Sequence, residues 1–216
     1  MLKTRTRFAP SPTGYLHLGH VHSALVASEK ADVDNFVLRI EDIDFARSRP
    51  EFESAIIEDL SWLGLHWQTP IRRQSEHMED YQAALSRLDD MGLLYPCFCT
   101  RKDIQEEVAA AGNAPHLVPT GPDGSLYPGT CRHKDRVERK DKLDAGMLHA
   151  IRLKTDKAIE QAGPLTWIDL EAGKQKATPE IFGDIVLSRK DTPSSYHLAV
   201  TIDDAIQKIT LVTRGR

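Results

Sequence analysis

The 216-residue chain contains no run of eighteen apolar residues, which excludes a membrane-spanning helix. Its N-terminus, MLKTRTRFAPSPTG, has no apolar core segment of the kind a secretory signal needs. Cysteine is scarce. Three cysteines are too few, and odd in number, for a disulfide framework, and they fit a reducing cytoplasm. Charge of either sign is nearly balanced, with 28 Lys and Arg against 32 Asp and Glu and a net charge of −4. That argues against a protein whose whole surface grips nucleic acid, and leaves room for a local basic patch. No internal repeat or low-complexity tract is present. What is there suffices for a folded protein: hydrophobic residues make up 40% of the chain, and its length suits roughly one to one and a half domains.

Residues 1–95 alternate between strand and helix patterns, which predicts an α/β fold with a parallel sheet. Thr4–Phe8 and Asn35–Ile40 read as strands, with a helix from about His20 to Lys30 between them. Ser48-Arg49-Pro50-Glu51 reads as a helix start, with Ser48 as cap, Pro50 in the first turn and Glu51 completing a capping box. Phe52, Ile56, Leu60 and Leu63 follow at helical spacing, and Gly64 stops them. Met78, Tyr81, Leu85 and Leu88 mark a second amphipathic helix, stopped by Gly92. Residues 96–145 differ in character: a short helix at Thr100–Ala111, a Gly/Pro-rich loop, then CRHKDRVERKDK with six Lys or Arg against three Asp or Glu. This segment reads as an insertion. Residues 146–216 return to the sheet domain, with strands expected at Ala150–Leu153, Thr166–Leu170, Ile185–Leu187 and Ile209–Arg214. Trp62, Trp67 and Trp167 are expected in the core. His66, His77, His116 and His149 show no partner pattern and read as structural or surface residues.

The sharpest motif is Arg7-Phe8-Ala9-Pro10-Ser11-Pro12-Thr13-Gly14-Tyr15-Leu16-His17-Leu18-Gly19-His20. His17 and His20 are three apart at a loop-to-helix junction, so both imidazoles face one side. A helix N-terminus offers free N–H groups and partial positive charge to a phosphate. Two imidazoles can donate to phosphate oxygens as charge builds in a transition state. Gly19 leaves room for a base or ribose against the backbone. In a second constellation, Cys97-Phe98-Cys99 and Cys131 offer three thiolates, which with a fourth ligand fit tetrahedral zinc; small buried core cysteines are the other reading.

The HxGH-containing string resembles the signature of class I glutamyl-tRNA synthetases. The likeness continues through FVLRIEDIDFARSRPE (36–51), LSWLGLHW (60–67) and SYHLAVTIDDAIQKITLVTRG (195–215), in collinear order over nearly the whole chain. Within that superfamily the chain is most similar to the glutamyl-queuosine tRNA(Asp) synthetases, short paralogues without an anticodon-binding domain. Val200 is apolar, as in the paralogues, where tRNA(Glu)-charging enzymes often have Asn. The resemblance implies a class I Rossmann-like sheet with an inserted zinc-binding subdomain. It implies activation of glutamate by ATP with Mg²⁺, and transfer to the queuosine base in the anticodon of tRNA(Asp). His17 and His20 would be catalytic. Pro10, Ser11, His17, Gly19 and His20 would bind ATP.

Glutamate would be held by Arg7, Ser11, Glu41, Tyr196 and Arg214. Two arginines, a carboxylate and a phenol complement a substrate with two carboxylates and one ammonium. The family pattern of Cys-x-Cys followed by Tyr-x-x-x-Cys points to Cys97, Cys99, Tyr127 and Cys131 as ligands of a structural zinc, with His133 as rival to Tyr127. The expected protein is a cytoplasmic monomer. The second ATP motif of the class, KMSKS-like, has no counterpart; Ser188-Arg189-Lys190 lies too early, and the chain ends where the family continues. The competing readings are a catalytic part of a tRNA(Glu)-charging synthetase, a non-catalytic zinc-stapled tRNA-binding module, and an HxGH nucleotidyltransferase with another acceptor. The basic run at 132–142 is either a solvated face or a phosphate-contacting patch.

Overall fold

The computed structural model describes residues 3–111, 120–122 and 124–214. The chain divides into two compact units, Met1–Gln82 with Ser194–Arg216, and Ala83–Pro193. The composition changes at 95/96 and 145/146 both fall inside the second unit. Among the described residues no helix is long and apolar enough to cross a membrane. His116 and most of the Gly/Pro-rich loop lie outside the described residues.

The first unit is built on a three-stranded parallel sheet ordered β1 (Thr6–Phe8), β2 (Phe36–Ile40), β3 (Gln68–Arg73). Thr6 pairs with Phe36, and Ile40 with Arg73. All five residues of β2 are buried, as expected of a central parallel strand covered on both faces. Helix α1 (Leu18–Lys30) follows β1 and lays the small side chains of Ala24 and Ala27 into the core. Helix α2 (Pro50–Trp62) follows β2 and adds Ile56 and Leu60, both fully buried. Its start corrects the expected capping box. Arg49, not Ser48, is the last non-helical residue, and it makes no side-chain cap bond. The Arg49 amide donates to the Pro12 carbonyl (2.9 Å), which holds Arg49 extended, and the Ser48 hydroxyl is buried without a partner. Gly64 then takes φ +74°, the left-handed conformation that ends the helix. Helix α3 (Met78–Asp90) begins in the first unit and runs into the second.

In the second unit β4 (Leu94–Cys97), β7 (Ala150–Leu153) and β10 (Val186–Ser188) form an antiparallel sheet ordered β10-β7-β4. The strands expected at 150–153 and 185–187 therefore exist, but β7 pairs with β4, and β10 with β7, rather than extend the parallel sheet. Two small hairpins join them: β5 (Thr120–Gly121) with β6 (Gly124–Ser125), and β8 (Thr166–Asp169) with β9 (Gly173–Lys176). Helices α4 (Arg101–Ala111), α5 (Arg136–Asp144) and α6 (Thr155–Ala162) complete the unit. Helix α7 (Tyr196–Ile206) belongs to the first unit.

Two further expectations are corrected. Ile209–Arg214 forms no strand: the Thr210 and Leu211 amides both donate to the single Arg5 carbonyl (3.0 and 3.1 Å), so no ladder propagates. Of the three tryptophans only Trp67 packs on the core; Trp62 is 85% exposed and Trp167 54%.

Candidate functional site

The loop between β1 and α1 lies at the carboxyl end of the parallel strands, where open α/β sheets bind ligands. Two backbone bonds pin it. The Glu41 amide, just past β2, donates to the Pro10 carbonyl (3.0 Å), and the Arg49 amide donates to Pro12. Helix α1 starts two residues earlier than its apolar pattern suggests, because His17 is its N-cap. The His17 Nδ1 accepts from the Gly19 amide (3.1 Å) and the His20 Nδ1 accepts from the His17 amide (3.3 Å), a capping box made of two histidines. The rings stack with centroids 3.8 Å apart. Since both Nδ1 atoms accept, each neutral ring carries its proton on Nε2. Both rings thus keep a donor away from the backbone. Gly19 permits this packing, for a Cβ there would meet the His17 ring at 2.9 Å. Burial, and the charge of His17 beside it, hold the His20 pKa below the ordinary histidine value.

A cavity of about 470 Å³ opens beside these rings. Arg7, Pro10, Ser11, His20, Glu41 and Tyr196 all line it. These residues come from β1, the following loop, α1, the end of β2 and the first turn of α7, separated by up to 189 positions of chain. His17 and Gly19 stand on the same helix start but are not part of the lining. Arg214 is exposed and does not line the cavity, whereas its neighbour Thr213 does. Glu41 is buried, and burial pushes its carboxyl above the ordinary range against the pull of Arg39.

The sequence reading missed the charges beneath this cavity. Arg39, fully buried in the central strand, donates to Glu41 (3.1 Å), Asp204 (2.8 Å) and Gln207 (2.9 Å). Asp204 also accepts from Arg7 Nε (3.3 Å). Asp203, equally buried, accepts from Arg72 (2.7 Å), Gln74 (2.8 Å) and the Tyr81 hydroxyl (3.0 Å). Two arginines on strands facing an Asp-Asp pair on a helix were the available signal, and only a fold brings them together.

In the second unit the Cys97, Cys99 and Cys131 sulfurs all lie within 4.8 Å of one another. The Tyr127 hydroxyl stands 3.4 Å from the Cys97 sulfur and 3.5 Å from that of Cys99. The Cys131 amide donates to the Tyr127 oxygen (2.9 Å), and the Phe98 amide donates to the Cys131 sulfur (3.3 Å). Three sulfurs and a phenol oxygen converging in a partly buried pocket fit a tetrahedral zinc in number and chemistry. His133 is exposed and lies against Gly129 instead. The basic run is largely paired: Arg132 with Asp156 and Asp184, Lys134 with Glu138, and Lys140 with Asp144. His77 approaches Asp80 (3.8 Å), His149 bonds the Met147 carbonyl (3.0 Å), and His66 is exposed.

Residues 3–216 match the family described as tRNA synthetases class I (E and Q), catalytic domain. A glutamyl-Q tRNA(Asp) synthetase of Rhodobacter capsulatus is 44% identical over 216 residues, covering 97% of this chain and 76% of the relative. A glutamate–tRNA ligase of Hydrogenobaculum sp. is 42% identical, covering 98% of this chain and 43% of the relative. The crystal structure of a glutamate tRNA ligase from Elizabethkingia meningosepticum, in complex with its amino acid, superposes with a TM-score of 0.76 at 29% identity, over 99% of this chain and 44% of that one. The chain thus spans three quarters of the first relative and less than half of the other two.

Proposed function

This chain belongs to the class I tRNA synthetases (E and Q), within their catalytic domain, and from that premise we propose that it activates glutamate with ATP and passes it to the queuosine base in the anticodon of tRNA(Asp). The observation that carries the reading is the single cavity lined by Arg7, Ser11, Glu41, Tyr196 and His20. Arg7 takes a substrate carboxylate, Glu41 the ammonium, and Tyr196 and Ser11 offer hydroxyls to the remaining acceptors. The substrate α-carboxylate oxygen attacks the α-phosphorus of ATP, which arrives with Mg²⁺. A phosphorus–oxygen bond breaks, pyrophosphate leaves and glutamyl-adenylate forms. The Nε2–H groups of His17 and His20 donate to phosphate oxygens as negative charge builds there. Pro10 and Gly19 let the nucleotide lie close to the backbone. A hydroxyl of the queuosine cyclopentene ring then attacks the activated carbonyl and AMP departs. No covalent enzyme intermediate is needed, so positioning and electrostatics do the catalysis.

Cys97, Cys99, Tyr127 and Cys131 hold the zinc, which when bound supplies a structural cross-link. Three free thiols suit a cytoplasmic protein, and we take it to act as a monomer. The queuosine acceptor is supported by likeness to the Rhodobacter enzyme over 76% of its length and by apolar Val200. Likeness to a glutamate–tRNA ligase supports a second reading, charging of tRNA(Glu). Glutamate-dependent exchange between ATP and pyrophosphate without tRNA tests the activation step, and its absence overturns the reading. Glutamylation of Q-containing tRNA(Asp) but not tRNA(Glu) is the expected acceptor result; the reverse selects the second reading.

A further inference from the structure

We propose that Asp204, with Arg39, is a positioning residue that sets the distance and orientation between the two charged ends of the amino-acid site. The inference rests on the reading of the cavity as a glutamate site. Arg7 and Glu41 line the cavity; Asp204 and Arg39 do not. Yet the four form an unbroken chain of alternating charge, Arg7–Asp204–Arg39–Glu41, with contacts of 3.3, 2.8 and 3.1 Å. Asp204 engages Arg7 through Nε. Among the described residues nothing bonds the two terminal nitrogens of this guanidinium, the fork that takes a carboxylate bidentately. On the other side Arg39 binds one oxygen of Glu41 and leaves the second for an ammonium. Each ligand group is therefore held from behind by the next charge, and Asp204 Oδ1 is the atom shared by both arginines.

The adjacent carboxylate supplies an internal contrast. Asp203 hydrogen-bonds Arg72, Gln74 and Tyr81, none of which lines the cavity, and meets Arg39 Nε only at the longer distance of 3.7 Å. Neighbouring aspartates on α7 thus divide the work, Asp203 tying the helix to β3 and α3, and Asp204 aiming the substrate arginine.

The test compares the intact protein with its Asp204→Asn, Gln207→Ala and Asp203→Asn variants, by direct glutamate titration in a calorimeter, by separate KM and kcat in ATP–pyrophosphate exchange, and by thermal melts. For Asp204→Asn the expected result is a glutamate Kd and KM raised at least tenfold, with ATP KM within about twofold. Gln207→Ala, which removes only a bond to Arg39, raises glutamate KM by a few-fold and guards against misfolding of the first variant. Asp203→Asn lowers the melting temperature without a selective glutamate effect. If Asp204→Asn folds and binds glutamate as tightly as the parent, or if glutamate and ATP KM rise together, the positioning role is overturned. If the parent itself binds no glutamate, it is the reading of the cavity that falls.

Discussion

A methyl group at position 19 would strike the His17 ring, and the ring is the part of the structure free to give way. Gly19→Ala should therefore fold well, since alanine favours a helix over glycine by up to about 1 kcal/mol. It should nevertheless lose activity by about 10²-fold, the usual cost of removing one donor to a transition state. Exchange kinetics beside a thermal melt check both halves, and unchanged kinetics would mean that the His17 ring plays no part. Glu41 makes the pH prediction. Burial raises its pKa, so the folded protein favours the protonated form. That stabilisation is in place at low pH and is lost as pH rises through the folded value. Binding runs the other way, because an ammonium needs the carboxylate. Glutamate affinity should weaken on acidification at a higher pH than an ordinary carboxylate would give. Glu41→Gln should abolish that pH dependence and about 30-fold or more of the affinity, while its melting temperature at neutral pH stays level or rises. At this scale the sequence named Arg7, Ser11, His20 and Glu41 from their own motifs, and these four line one cavity. It was silent on Asp204 and Arg39, because their meaning lies in a contact across 165 positions.

Helices with a broad apolar stripe were readable in advance, and the elements that hide their period were not. Phe52, Ile56 and Leu60 announced α2, and truncating Ile56 to alanine should cost about 2–5 kcal/mol in chemical denaturation. In contrast β3 is the polar edge sequence QTPIRR, and α5 has no buried residue at all, its ends being held by charge and by the Asp135 cap. Ser48 fitted a cap by composition, but a long-range bond from Arg49 to Pro12 moved the helix start. Trp62 looked like core from its chemistry, but it sits at the last turn of α2 on the solvent side. For the cysteine cluster, the elements β4 and the turn before α5 bring thiols together that are 32 residues apart. Tyr127→Phe should weaken zinc retention at least about tenfold in competition with a chromophoric chelator, with His133→Ala unchanged. Release of zinc by the His133 variant alone would transfer the ligand role to that residue.

Each of the two compact units has its own cluster of buried side chains, one around Phe8, Ile56 and Leu60, the other around Tyr95, Cys97, Phe98 and Cys131. The second cluster contains the sulfurs themselves. Chelation should therefore lower one calorimetric transition and leave the other in place; a single transition that shifts as a whole would contradict this. Because the basic run is already paired with Glu138, Asp144, Asp156 and Asp184, replacing Lys134 or Lys140 by alanine should leave tRNA affinity within about twofold. The first unit is assembled from both halves of the chain, and this bears on synthesis. Arg7, Arg39 and Arg72 leave the ribosome early, while the two carboxylates that neutralise them follow 131 to 197 residues later. At about 5–20 residues per second that is a wait of roughly seven to forty seconds. During it the nascent sheet carries a cluster of guanidinium groups with no counter-ion from α7, so the cavity between Arg7 and Tyr196 can form only when α7 emerges.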